Sequence, residues 1–246
     1  MKTLNFFKVL MIVSLAVFLT SCEKDDGLDS NAAIKFESTY HTAKSMPLNG
    51  ALAEEVFIED FMINIEEIEI EFDDDDPMFE SDSVYSDYEF DGPFLINLME
   101  DGNPLEAFIL NNVELPLAAY DEIEFEFDEN ETPGSEMYGK SILIRGNIDG
   151  TPFVFWSDEE VEVEVEFEEP VFIDDASNAI LTVSFDLGTL FSPEAGGVDL
   201  GQAADGNGDG IIEIYSEDPD GNAELADLIS EKIEDIIEAF EEEYDD

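Results

Sequence analysis

Cationic residues are scarce in this chain: eight lysines and arginines stand against 65 aspartates and glutamates, a formal charge of −57 over 246 residues. A field of that sign repels nucleic acid and anionic membrane surfaces, and suits divalent cations and basic proteins. Cysteine occurs once, at Cys22, which excludes an internal disulfide framework and a thiolate zinc cage. His41 is the one histidine, so transition metals that prefer imidazole have no cluster to bind, and its polar surroundings suit an exposed, inert side chain. A Ser/His/Asp triad would have to draw on that residue, and no GxSxG nucleophile elbow occurs. Paired carboxylates could serve a glycoside hydrolase, but among so many acids a pair means nothing without a measured separation and a cleft. The expectation is a protein without enzymatic activity.

What the chain has in quantity is acid interleaved with apolar side chains. Hydrophobic residues make up 44% of it and include 20 phenylalanines, enough for one sizeable core or at most two small ones. Segregated acids would predict disorder, whereas alternation puts the charge on one surface of a folded chain. The clearest run is VEVEVEFE at residues 161–168, and the same idiom returns as IEIEFD at 68–73 and IEFEFD at 123–128. Period two is the strand period, so each segment offers one apolar face and one row of carboxylates. Neighbours in the row Glu162, Glu164 and Glu166 are roughly 7 Å apart and repel by about 0.6 kcal/mol per pair in water. Burying Val161, Val163, Val165 and Phe167 contributes about 1.5–3 kcal/mol each, which outweighs that repulsion, so the row needs no metal.

Short candidate strands separated by turn signals occupy residues 34–39, 56–65 running into 68–72, 84–90, 94–99, 107–110, 123–127, 141–148, 152–156 with 161–167, and 180–186. About nine strands of this texture predict a mainly β fold, an antiparallel β-sandwich. Ile63 and Ile65 share one phase and Ile68, Ile70 and Phe72 the other, which predicts a β-bulge at Glu66 and Glu67. Asp149 and Gly150 predict a hairpin turn. Acidic runs at 73–76 and 128–131 fall where strands should end and read as solvated loops. Phe153, Phe155 and Trp156 could stack on a sugar, yet their apolar setting predicts core.

Residues 1–21 read as a signal peptide, with Lys2 and Lys8 at the start and an apolar run at 9–19 too short for a comfortable membrane span. Leu19, Thr20, Ser21 and Cys22 resemble the lipobox of bacterial lipoproteins, which implies cleavage before Cys22 and attachment of diacylglycerol and a fatty acyl chain such as palmitate to it. Glu23, Lys24, Asp25 and Asp26 resemble the export signal of Bacteroidota-type surface lipoproteins. That resemblance implies a protein held in the outer membrane by its acyl chains and facing the extracellular side. Residues 22–32 then form the lipidated tether, 33–191 the sandwich, and 192–246 a loop and helix packed on it. The segments LPLAAYDEIEFEF at 115–127, GTPFVFW at 150–156 and ILTVSFDLGTLF at 180–191 resemble an uncharacterised family of such lipoproteins with transthyretin-like, or prealbumin-like, β-sandwiches. The resemblance implies fold and location, and carries no catalytic residues.

Beyond residue 191 the texture turns glycine-rich and polar, and Asp205, Asn207, Asp209, Ile211 and Glu213 follow the opening of a calcium loop. Oxygen ligands at alternate positions, a sixth-position glycine (Gly210) for the sharp turn, a seventh-position backbone carbonyl (Ile211) and a ninth-position acid (Glu213) are what a hard cation needs. The twelfth position, a bidentate glutamate in an EF-hand, is Ser216, and Pro193, Gly196, Gly197 and Gly201 interrupt any helix ahead of the loop. The expectation is a calcium loop outside the EF-hand pattern, closed by Glu217, Asp218 or Asp220, with affinity of about millimolar.

Asn222 predicts a helix cap, and Leu225, Leu228, Ile229, Ile233, Ile236, Ile237 and Phe240 follow one helical face that should pack on the sandwich. Acids at 241–246 sit where the macrodipole disfavours them, so the last turn should fray. The whole reads as a lipid-anchored, outward-facing acidic β-sandwich, a binding or structural module with divalent cations, and a glycan or protein ligand, as partners. A carboxylate-dependent hydrolase and a non-specific, cation-gathering acidic coat are the readings from other classes.

Overall fold

A computed structural model describes residues 29–40, 56–73, 87–173 and 179–243. The signal peptide, Cys22, Lys24, Asp25, Asp26, His41 and residues 74–76 of the first acidic run lie outside the described residues.

The alternating segments form strands. In chain order these are β1 (Asp29–Thr39), β2 (Val56–Phe72), β3 (Tyr88–Glu100), β4 (Asn103–Pro104), β5 (Glu106–Pro116), β6 (Ala119–Phe127), β7 (Ile142–Ile148), β8 (Thr151–Ser157), β9 (Val161–Phe172) and β10 (Ala179–Asp186). A single helical turn, α1 (Leu187–Leu190), follows, then two 3-10 turns, β11 (Ile212–Ile214), α2 (Ala223–Glu234) and β12 (Ile237–Glu243).

Period two decides which side chains enter the core. Along β2, Phe61, Ile63 and Ile65 point inward before the phase slip, and Ile68 and Ile70 after it; all are fully buried. The predicted bulge is present, since the β2 ladders to both β3 and β6 shift register between Ile65 and Glu67. One extra residue there keeps both halves of a long strand aimed at the same core. Opposite the bulge, a Cβ on Gly92 would stand 2.6 Å from the carbonyl oxygens of Ile65 and Glu66, so glycine alone fits. The Asp149–Gly150 hairpin also forms: φ is +49° and +84° at these residues, and Ile148 pairs with Thr151 across a two-residue turn.

The strands assemble into a β-sandwich. One sheet runs β11-β8-β7-β2-β6-β9, with β3 on the other edge of β2 and β4 on β3; the second runs β12-β10-β1-β5. β12 pairs with β9 at a single position, Ala239 with Phe167, and there the sheets meet. Their apolar faces interlock through phenylalanines: Phe36 of β1 meets Phe125 of β6 edge to face at 5.4 Å, and Phe185 of β10 meets Phe61 of β2 at 5.6 Å. Such pairs add about 0.5–1.5 kcal/mol each beyond their buried area.

The strand list grows relative to expectation. Residues 88–90 and 94–99 of two expected segments belong to one strand, β3, with 84–86 outside the described residues, while 152–156 and 161–167 are two, and β4, β11 and β12 are additional. Three pairings are parallel, β1 with β10, β11 with β8 and β12 with β9; the others are antiparallel. The helical stripe stops at Glu234, where Ile236 turns and Ile237 opens a strand. Spacing cannot separate the two outcomes for residues 236–240, but β10 decides. Its backbone from Ala179 to Phe185 pairs antiparallel with β12, whereas continued helix would leave that edge unpaired and add acids at the dipole's negative end.

Candidate functional site

The predicted calcium loop lies between the 3-10 turn Leu200–Gln202 and β11, whose Ile212 and Ile214 are buried and pair in parallel with Phe153 and Phe155 of β8. The Asp205 carboxylate turns back over the loop: Oδ1 accepts from Gly208 N at 2.7 Å and Asp209 N at 3.1 Å, and Oδ2 from Gly210 N at 2.9 Å. Asn207 Oδ1 accepts from Asp209 N at 2.8 Å, and Asp209 Oδ1 from Ile211 N at 3.0 Å. Asn207 Nδ2 donates to Asp209 Oδ2 at 3.3 Å and Glu213 Oε2 at 3.2 Å. Gly210, at the sixth position, takes the left-handed backbone that the turn needs (φ +97°). The side chains of positions one, three, five and nine thus share one small network, and Ile211, at the seventh, is exposed.

A second turn clasps the first. Asp220 accepts from Asn207 N at 3.0 Å through Oδ1 and from Glu213 N at 2.8 Å through Oδ2. A Cβ on Gly206 would meet the Asp220 carbonyl oxygen at 2.3 Å, so the turns pack backbone to backbone. Asp218 Oδ1 accepts from Asp220 N, Gly221 N and Asn222 N at 2.6–3.0 Å, which commits it to the turn ahead of α2. Glu217 is exposed on that turn. Of the three candidate closing residues, Asp220 is the one bonded to the loop. Asn222 stands at the predicted N-cap of α2, but its side chain makes no capping bond. Buried instead, it accepts from Ala204 N at 3.0 Å and donates to Ala204 O at 2.9 Å and Glu213 O at 2.7 Å.

The loop also reaches the aromatic residues of β8. Phe153 and Phe155 are core, as expected, whereas Trp156 points to the other face of the sheet and stacks on Tyr215 at 4.6 Å and 26°. Tyr215 donates to Glu213 Oε1 at 3.3 Å, and burial, then the Glu213 carboxylate, push its hydroxyl above the usual tyrosine range. The Lys140 ammonium lies 5.8 Å from the Trp156 ring centroid. Arg145, in the same sheet, pairs with Glu136 at 2.7 Å and Asp60 at 3.6 Å.

A second acidic feature emerges only from strand pairing. Register sets the glutamate rows of β2, β6 and β9 side by side, with β3 beyond: Asp91–Glu67–Glu126–Glu162, Glu89–Glu69–Glu124–Glu164 and Glu71–Glu122–Glu166. Each row is acid facing acid across strands about 5 Å apart, a destabilising arrangement absent from any estimate along one strand. Among the described residues, the groups of three carboxylates with oxygens within 4.8 Å of one another all lie here: Glu67 with Glu89 and Asp91, Glu71 with Glu122 and Glu124, and Glu124 with Glu162 and Glu164. Burial, followed by repulsion from Glu162, Glu69, Glu71 and Glu164, pushes Glu124 up to about 7. Burial first and neighbouring acids second also raise Glu67, Glu69, Glu122 and Glu126.

No family model, curated protein or solved structure matches this chain. The site must be read from its own chemistry. That chemistry is oxygen-rich and anionic in both places, which suits hard divalent cations over transition metals.

Proposed function

We propose that this chain is a lipid-anchored, outward-facing β-sandwich module without enzymatic activity, whose 205–213 loop takes calcium. The observation that carries the calcium part is the folded loop: the side chains at positions one, three, five and nine share one hydrogen-bonded network, and Gly210 makes the sixth-position turn. On binding, Asp205, Asn207, Asp209, the Ile211 carbonyl and Glu213 would supply oxygens, with Asp220 closing the shell. The anchoring part rests on the lipobox resemblance at Cys22 and the charged run at Lys24, Asp25 and Asp26.

Calorimetric titration of the mature chain with calcium tests the loop. One site of about millimolar affinity is expected, and free calcium at about ten times the dissociation constant should stabilise the fold by about 1.4 kcal/mol. An isotherm unchanged in Asp205→Ala with Asp209→Ala would overturn the assignment. Lipidation and placement have separate tests: a globomycin-type block should stop processing at Cys22, and protease added to intact cells should degrade the protein.

A second reading, a cation-gathering coat, is favoured by the three carboxylate groups on the sheet face. It requires many weak calcium sites that survive the double loop variant. The hydrolase reading asks for a cleft with acids converging beside Trp156, where Tyr215 stacks on the ring and donates to Glu213 of the proposed calcium loop.

A further inference from the structure

β5 ends the strand order of its sheet and, among the described residues, pairs along one edge only, with β1. Its other edge carries backbone donors and acceptors that can template another strand. Ala107–Val113 contains no charge although this chain has acid to spare, and its protection is limited to two bulges, where Ile109 and Asn112 are extra residues against β1. The uncharged run is AFILNNV, with Phe108 39% exposed, bracketed by exposed Glu106 and Glu114. A second copy is a poor occupant, because two chains of formal charge −57 repel. We infer that the β5 edge is a docking strand for an extended protein segment with an apolar centre and basic ends, which adds to the sheet beside Phe108 and meets Glu106 and Glu114 with its charges. Backbone bonds would supply affinity, and the acidic bracket selectivity.

The test uses the full mature chain and two synthetic peptides of equal charge. Each has a lysine pair at both ends; one has alternating valine and threonine between, and the other has proline at every second central position, which forbids strand pairing. Binding of the strand-competent peptide at least about tenfold tighter is expected, with the preference lost in Phe108→Glu. In Glu106→Lys with Glu114→Lys, preference should pass to a peptide with glutamate ends. Equal binding of the two lysine peptides would reduce the effect to general attraction for an acidic surface and overturn the inference. So would a preference untouched by the charge reversal, or sedimentation showing that the edge is closed by a second copy. Circular dichroism of each variant confirms that the sandwich is intact, and none of these outcomes depends on calcium.

Discussion

A Cβ placed on Gly146 would lie 2.0 Å from the carbonyl oxygen of Phe57 and 2.8 Å from the Phe153 ring, beside the register shift between Ile58 and Asp60 in the β2–β7 ladder. Gly146→Ala is therefore expected to lower the unfolding free energy by more than about 2 kcal/mol in urea titrations. Gly150→Ala meets nothing within 4 Å and strains only a backbone at φ +84°, so its loss should be about 1 kcal/mol. Equal losses would contradict this account of close approach. Sequence marks the second glycine through its Asp-Gly turn, while nothing in the neighbours of Gly146 announces the first. Trp156 teaches the converse: its place out of phase with Phe153 and Phe155 is visible in the alternation, and only its apolar setting argued for core. Asn222 shows how far composition reaches, since it locates the helix start but not the buried bonds to Ala204 and Glu213 that occupy its side chain.

At the scale of the strand, the carboxylate rows make stability depend on pH in an unusual sense. Unfolded glutamates titrate near the model-peptide value of 4.5, and Glu124 in the sheet titrates at about 7. Between those values the folded state holds a proton that the unfolded state has released, so this contribution is present at low pH and is lost as pH rises through about 7. The thermal midpoint should fall from about pH 5 to about pH 8. Glu124→Gln should exceed the parent at the upper end and match it at the lower; a parent midpoint that rises over the range would refute this. The alternation of β2, β6 and β9 was legible, and so was the bulge at Glu66. Which row faces which was not, because register is settled by the shared core of Ile68, Ile123, Phe125 and Val163 rather than by the acids. The end of α2 was equally hidden, since spacing at Ile233, Ile236, Ile237 and Phe240 suits a helix until β10 offers a ladder.

For the molecule as a whole, charge opposes folding and the phenylalanine core drives it. Raising sodium chloride from about 0.01 M to about 1 M shortens the screening length from about 30 Å to about 3 Å, so the thermal midpoint should climb with salt. A flat response in differential scanning calorimetry would mean that the acids already offset one another locally. Sandwich class could be read from short apolar–acidic strands, but the parallel pairings of β1 with β10 and β8 with β11 join distant segments, and no local pattern encodes them. The same topology gives β12 a temporal meaning. It comes after every other described strand in the chain, yet it lies between β10 and β9, where one sheet is stitched to the other. A chain emerging from the ribosome in N-to-C order therefore cannot close this seam until residues 237–243 have followed. Long-range pairing of this kind also slows folding.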